Sequence, residues 1–321
     1  MTRTKKDAAM RNLFVTTVLA PLVLLAGCSD LSNNFIGGDS NGVVYDGYLA
    51  NAKVCVDEIV NRQCDDPPEP ATFTDANGNF ELRNLSPAQA LLPIVAVVIP
   101  GTTIDLDTGL AAPAGLKFLA PAGSTAVSAF STLIQIRIEQ KIAAGLSTDP
   151  IVVPSLATLK AQAIAELAAE LGLPAGTDLT TYDPIAAKND TSLADADRLV
   201  AAKLHIVSQI LSAQIVEFLP QALLNADPGE ESAAYAALLA NMDAAQVLTE
   251  LETYITGNGL TLNDLVAPSF DSTVVPVTDP AVPSAAEIDD QFFNDANVLA
   301  AISDLATGQP PTTGATGATG P

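Results

Sequence analysis

Residues 42–82 read GVVYDGYLANAKVCVDEIVNRQCDDPPEPATFTDANGNFEL, and this stretch decides the fold class. Val43-Val44-Tyr45 and the run from Ala52 to Val56 are short and β-favouring. The turn-prone pairs Asp46-Gly47 and Ala50-Asn51 separate them. Ala71 to Thr74 is a third such run. Asn77-Gly78 is the strongest hairpin dipeptide in the chain. Phe80-Glu81-Leu82 then alternates apolar and polar, as a half-buried strand does. Downstream, 91–99 is a continuous apolar run suited to a strand buried on both faces. Adding 103–106 and 116–119 gives about seven short strands, so 42–122 is expected to form a small β-sandwich.

After Gly123 the apolar period becomes helical. Over 127–144, Phe130, Leu133, Ile134, Ile138 and Ile142 recur at three and four spacing and stop at Gly145. Leu156, Leu159, Ala163, Leu167 and Leu171 line one face of a second helix, ended by Gly172 and Pro174. The longest helix is expected over 192–219, with an apolar stripe that includes Leu193, Val200, Leu204, Leu211 and Ile215. Ser192 and Asp195 suit a capping box at its start, and Pro220 closes it. Further helices are expected at 231–241, 244–255 and 287–305. Ser284 and Glu287 cap the last one, after a proline-rich connector over 268–283. Residues 123–308 therefore read as an all-α helical domain, so the whole is a multi-domain α and β chain. Residues 309–321 read as a disordered Gly/Thr/Pro tail, because three collagen-like triplets are too few for a triple helix.

The N-terminus reads as an address. Arg3, Lys5, Lys6 and Arg11 precede an apolar run over 13–25. That run is shorter than the roughly 20 apolar residues a membrane span needs. It ends in Leu25-Ala26-Gly27-Cys28, which resembles the lipobox of bacterial lipoproteins. The resemblance implies that residues 1–27 are a cleaved signal peptide and that Cys28 is acylated. It implies a protein held to a membrane by lipid, with 28–41 as a flexible tether. Ser29, rather than Asp, follows the cysteine; by the same resemblance this sorts the protein to the outer membrane. Cleavage removes four of the 14 basic residues and one of the 37 acidic ones, leaving a net charge of −26.

Gly47-Tyr48, Ala52, Asp57, Glu69-Pro70 and Thr74-Asp75 to Phe80 resemble the small β-sandwich modules of bacterial surface proteins. These are related to serine-aspartate-repeat B and carboxypeptidase-regulatory-like domains. The stretches 120–125 and 173–184 resemble the helical region that often trails such modules. In these modules an Asp/Asn loop can hold Ca²⁺ through alternating oxygen ligands. The matching residues are Asp57, Asn61, Asp65 and Glu69. The pattern is degraded: Ile59 and Arg62 stand where Asn/Asp and Gly are expected, and Glu69 comes one residue late. The competing reading is a solvated acidic loop; any metal there would be structural. Cys55 and Cys64 are the two thiols left once Cys28 is lipidated. In an exported chain they are expected to form a disulfide, in place of the metal as a staple, rather than stay free.

Composition narrows the function. With 14 Lys and Arg against 37 Asp and Glu, the chain repels nucleic-acid phosphates. His205 is the single histidine. It shares a helix side with Ala201, Ala202, Ser208, Gln209 and Ser212, opposite the apolar stripe, and reads as a solvated residue rather than a catalytic base. Asp289-Asp290 and Glu230-Glu231 are candidate acid and base pairs of a glycosidase. The chain lacks Trp and has only 5% aromatics, so it lacks the usual sugar platforms. The expectation is a lipid-anchored envelope protein without catalysis and without a cofactor beyond structural Ca²⁺. Its role would be structural or binding, toward a protein or an envelope polymer. The alternatives are an exported hydrolase acting on an envelope or extracellular polymer, or a Ca²⁺-dependent adhesion component.

Overall fold

The computed structural model describes residues 38–311 except 66, 68, 268, 269 and 290–294. The signal peptide, Cys28 and most of the tether and tail expected from the sequence lie outside the described residues. The chain is mixed α and β, with a strand-rich region followed by helices.

β1 (Ser40–Val44) starts two residues inside the expected tether. It pairs antiparallel with β5 (Asn79–Leu82), with Gly42 opposite Phe80. Its other edge pairs in parallel with β10 (Ala126–Val127). A second sheet has the order β4 (Ala71–Phe73), β3 (Lys53–Val56), β6 (Ile94–Val97), β9 (Lys117–Ala120), all antiparallel. The third is small: β2 (Leu49–Ala50), β7 (Ile104–Asp105) and β8 (Leu110–Ala111). The apolar run over 91–99 supplies β6, whose Ile94, Val95 and Ala96 are buried.

The Asn77-Gly78 turn forms, with Gly78 at φ +81° and Asp75 Oδ1 accepting from the amides of Asn77 and Asn79. It does not close a hairpin. The strands on its two sides enter different sheets, because Phe80 and Leu82 of β5 bury against the core while β5 pairs with β1.

The helices expected near 127–144, 156–171, 192–219, 231–241 and 244–255 form close to those bounds; the one expected over 287–305 is described as two, on either side of 290–294, and 184–189 and 262–266 are additional. The helices are α1 (Ala129–Leu146), α2 (Leu156–Glu170), α3 (Pro184–Asn189), α4 (Asp195–Asn225), α5 (Glu231–Ala240), α6 (Ala244–Asn258), α7 (Leu262–Val266), α8 (Ala285–Asp289) and α9 (Asp295–Ala306). The hydroxyls of Ser131 and Thr132 reach the Leu119 carbonyl at 2.7 and 3.2 Å, tying α1 to β9.

Two expectations for α4 need correction. The helix passes through Pro220, which sits on an exposed face, and continues to Asn225, burying Ala222. The Ser192–Asp195 box is absent: Ser192 bonds to Asp190 instead, and Ala194 occupies the cap position.

α4 is also central rather than one-sided. It packs on α3, α5, α6 and α7, so its small residues Ala201, Ala202, Ser208 and Ser212 are buried together with Leu204, Val207 and Leu211. Small side chains let neighbouring elements approach closely, which is why the face that reads as polar in the sequence is an inner one. By length and composition α4 could cross a membrane, yet 67% of its most apolar window is buried within the protein.

The described residues gather into one compact unit, and strands and helices share its main apolar core, with Val43, Tyr45, Ala126 and Ile185 forming a second, small cluster. β10 lies beyond position 122 yet completes the first sheet, and the amides of Thr125 and Ala126 both donate to the Thr180 carbonyl at 2.9 Å.

Candidate functional site

The acidic loop between β3 and β4 is organised by its own backbone. Asp57 accepts from the amides of Asn61 (2.8 Å) and Arg62 (2.7 Å). Glu69 accepts from the amides of Glu58, Ile59 and Asp65. Asn61 Nδ2 donates to Asp65 at 2.6 Å. Asp57, Asn61, Asp65 and Glu69 are thus neighbours, but their oxygens serve amide donors rather than one common point. Among the described residues no set of three or more His, Cys, Asp or Glu side chains is arranged to hold a metal ion. Val60 and Arg62 take left-handed backbone, at φ 54° and 61°, and the two carboxylates hold that conformation in place. Burial pushes the Asp57 carboxyl up to about 6, against the two amide bonds that lower it.

Cys55 and Cys64 are joined, with their sulfurs 2.11 Å apart. The loop they close presents Arg62, which is buried at 1% exposure. Its Nε and Nη2 meet Glu139 Oε2 of α1 at 3.0 and 2.9 Å, and its Nη1 donates to Ser232 Oγ of α5 at 2.7 Å. Gln135 satisfies the other Glu139 oxygen. Lys117 Nζ donates to the Arg62 carbonyl and lies 4.2 Å from the centre of the Tyr235 ring. The loop that reads as a calcium site in the sequence is therefore a dock for the helices.

A different place has the features of a binding site. A cleft of about 760 Å³ opens between the Asp46-Gly47 turn, the β7–β8 connection, α3, α4 and the segment after α7. Its wall carries Leu106, Leu110, Val216, Leu265 and Phe270, and its floor is polar. Drug-sized ligands fill clefts of this size and mixed lining.

The floor is built from the turn upward. Tyr45 and Tyr48 bridge antiparallel, so Asp46 and Gly47 form a two-residue turn. A Cβ on Gly47 would stand 2.1 Å from Asp105 Oδ1 and 2.8 Å from Asp107 Cγ, so only glycine lets the two carboxylates close on the turn. Asp105 is itself held by the Asp107 amide and the Thr108 hydroxyl. Asp183 caps α3 through the amides of Ile185 and Ala186 and accepts from the Tyr48 hydroxyl at 2.8 Å, which fixes α3 beside the turn.

His205 sits between these parts, 2% exposed, where the sequence reading placed it in solvent. Its Nδ1 lies 2.7 Å from Lys188 Nζ. An ammonium only donates, so Nδ1 accepts and the ring proton is on Nε2. Nε2 then donates to the Asp46 carbonyl at 2.8 Å and faces Asp107 Oδ2 at 3.1 Å. Gln209 Nε2 adds a second donor to Asp107. Burial of Asp107 is outweighed by the hydrogen bond from His205 and by the charge of nearby Lys188, so its carboxyl titrates below the usual range.

Asp46 is the opposite case. Burial, reinforced by the charges of Asp105 and Asp107 and only partly offset by Ser212, pushes its carboxyl up to about 8. Its Oδ1 is shut off from solvent and accepts no hydrogen bond from any described residue.

Both nitrogens of His205 are occupied, and among the described residues no hydroxyl bonds to it. Ser212, two turns further along α4, donates to the Ser208 carbonyl. Of the glycosidase candidates, Glu230 and Glu231 lie at the start of α5, Asp289 is exposed on α8, and Asp290 is outside the described residues.

The sequence contained the pieces of the cleft floor: the Asp46-Gly47 turn, the Asp-Leu-Asp-Thr-Gly run at 105–109, and the one histidine. It contained no spacing that joins them, since the pairs are separated by 60 to 160 positions, as in the 159 between His205 and Asp46.

The fold and site define a disulfide-stapled α and β protein with a wide, polar-floored cleft. Comparison of the chain with protein-family models, with curated proteins and with solved structures finds no match.

Proposed function

We propose that the chain is a lipid-anchored envelope protein, attached through Cys28 at the outer membrane, that binds a small ligand in the cleft and catalyses no reaction. Its strand-rich part is read as a small β-sandwich on which the helices are mounted. The cleft carries the binding part of this reading. It joins an apolar wall to a floor where one carboxylate oxygen is buried without a donor, and a buried acceptor left empty is costly unless something fills it. The occupied nitrogens of His205 favour binding over hydrolysis, because a general base needs a nucleophile within hydrogen-bond reach.

Native mass spectrometry of the protein purified from envelopes tests the binding part. Wild type is expected to carry an added small-molecule mass. Ala213→Trp, which fills the cleft from an exposed position on α4, is expected to lose it. Identical spectra would overturn the reading. The anchor has its own test: Cys28→Ser is expected to move the protein from the envelope to the soluble fraction, and continued cosedimentation would remove the lipid from the account.

A further inference from the structure

We propose that the floor of the cleft receives the ammonium group of an alkyl amine, with Asp46 as its counter-ion and the apolar wall around its chain. This rests on the cleft being the binding site and adds the chemical class of the ligand.

Three observations carry it. First, Asp46 lines the cleft and its Oδ1 has no hydrogen-bond partner among the described residues. Second, the charges around Asp46 leave a deficit of one sign. From the end of β7 and the β7–β8 connection Asp105 and Asp107 face it, and from α3 and α4 come Lys188 and His205. Lys188 is bound to His205 Nδ1, and the charge it feels is that of Asp107, so the resident cation is matched to that carboxylate and not to Asp46. A neutral donor would leave Asp46 protonated beside Asp105 and Asp107; an ammonium compensates the ionised carboxylate and hydrogen-bonds to it. Third, no described set of side chains is arranged for a metal ion, whereas Leu106 and Leu110 stand 40% and 68% exposed at the cleft, as the chain of an amphiphile would require.

The consequence is proton release. With the Asp46 carboxyl raised to about 8, the empty floor is protonated at neutral pH. An incoming ammonium drives that proton off, so affinity rises with pH until the carboxyl is ionised without help.

Isothermal titration calorimetry on the chain lacking residues 1–27, with octylamine, octanol and octanoate as probes, tests this. Octylamine is expected to bind best. Its apparent affinity should rise about tenfold from pH 6 to pH 7, with close to one proton released as judged from two buffers of different ionisation heat. Asp46→Asn keeps the shape of the protonated acid; it should weaken octylamine at least tenfold and remove both the proton release and the pH slope. Ala213→Trp should abolish binding of every probe. Octanol or octanoate binding as tightly as octylamine, or Asp46→Asn leaving octylamine unchanged, would overturn the ammonium assignment and leave the cleft reading standing. No binding of any probe to wild type would overturn both.

Discussion

At the scale of single residues, two positions carry more than their size suggests. Gly47 has the smallest side chain on the cleft floor, and its missing Cβ is the space in which Asp105 and Asp107 sit. Gly47→Ala is expected to cost about 1–3 kcal/mol of stability through forced displacement of these carboxylates. It should also return the Asp46 carboxyl toward the ordinary range by moving its like-charged neighbours away. Chemical denaturation and a carboxyl-resolved NMR titration would check the two effects, and an unchanged stability would show that the turn yields freely. Glu139 is the second position. Glu139→Ala takes the Glu139 carboxylate from the buried Arg62 guanidinium, and breaking a buried pair in this way costs about 3–5 kcal/mol. Replacing both partners, as in Arg62→Met with Glu139→Leu, should recover most of that loss; a double variant no better than the single one would mean that Arg62 works mainly through Ser232. His205 shows where single-residue reading fails. Its neighbours on the helix are small and polar, a composition shared by a solvated face and by a close-packed inner one, and only the arrival of the Asp46 turn and α3 distinguishes them.

At the scale of elements, the sequence period located most helices to within a few residues, because a stripe of apolar side chains and its stop signals are local properties. The starts and stops that failed did so through competition. Ser192 had a nearer partner in Asp190, and Pro220 lay on a face where a missing amide is tolerated. The strands were legible as strands but not as pairs: Asn77-Gly78 made its turn while β4 and β5 took partners elsewhere. The Cys55–Cys64 pairing was legible because these are the two thiols left once Cys28 is set aside, whereas the use of its loop was not, since the acidic residues that resemble metal ligands serve amides instead. Closing a loop of this length contributes about 2–3 kcal/mol by restricting the unfolded chain. Cys55→Ala with Cys64→Ala is therefore expected to lower stability by that amount plus whatever the Arg62 dock loses. Measuring the loss again in the background of Arg62→Met and Glu139→Leu separates the parts; equal losses in both backgrounds would show that the disulfide and the dock are independent.

For the whole molecule, charge and burial act together on stability. The Asp46 carboxyl at about 8 and the Asp57 carboxyl at about 6 stand above the unfolded value near 3.8. Across that interval the folded chain holds more protons than the unfolded one, so stability falls as pH rises from about 4 to 6 through both groups and from 6 to 8 through Asp46 alone. Lys117 has the reverse sign: burial, with the Arg62 charge beside it, lowers it to about 8, and stability is regained above that pH toward 10.5. Urea midpoints are expected to decline from pH 5 to pH 8, and Asp46→Asn should flatten the upper half of that decline. A slope unaltered by the substitution would place its origin elsewhere in this acidic chain. The order of strands and then helices was visible in the sequence. The shared core across position 122 was not, because what joins the halves is a set of long-range pairs: β1 with β10, and Arg62 with Glu139 and Ser232.

That last set of pairs bears on how the chain comes into being. A polypeptide emerges from the ribosome, or from any membrane channel, with its amino end first. β1 then waits more than eighty residues for its parallel neighbour, and the arginine of the stapled loop waits 170 for its serine. The early part can pair its own strands, but β1 keeps an open edge and the buried arginine lacks its partners until the later part arrives, so the finished packing waits on chain that is still to come.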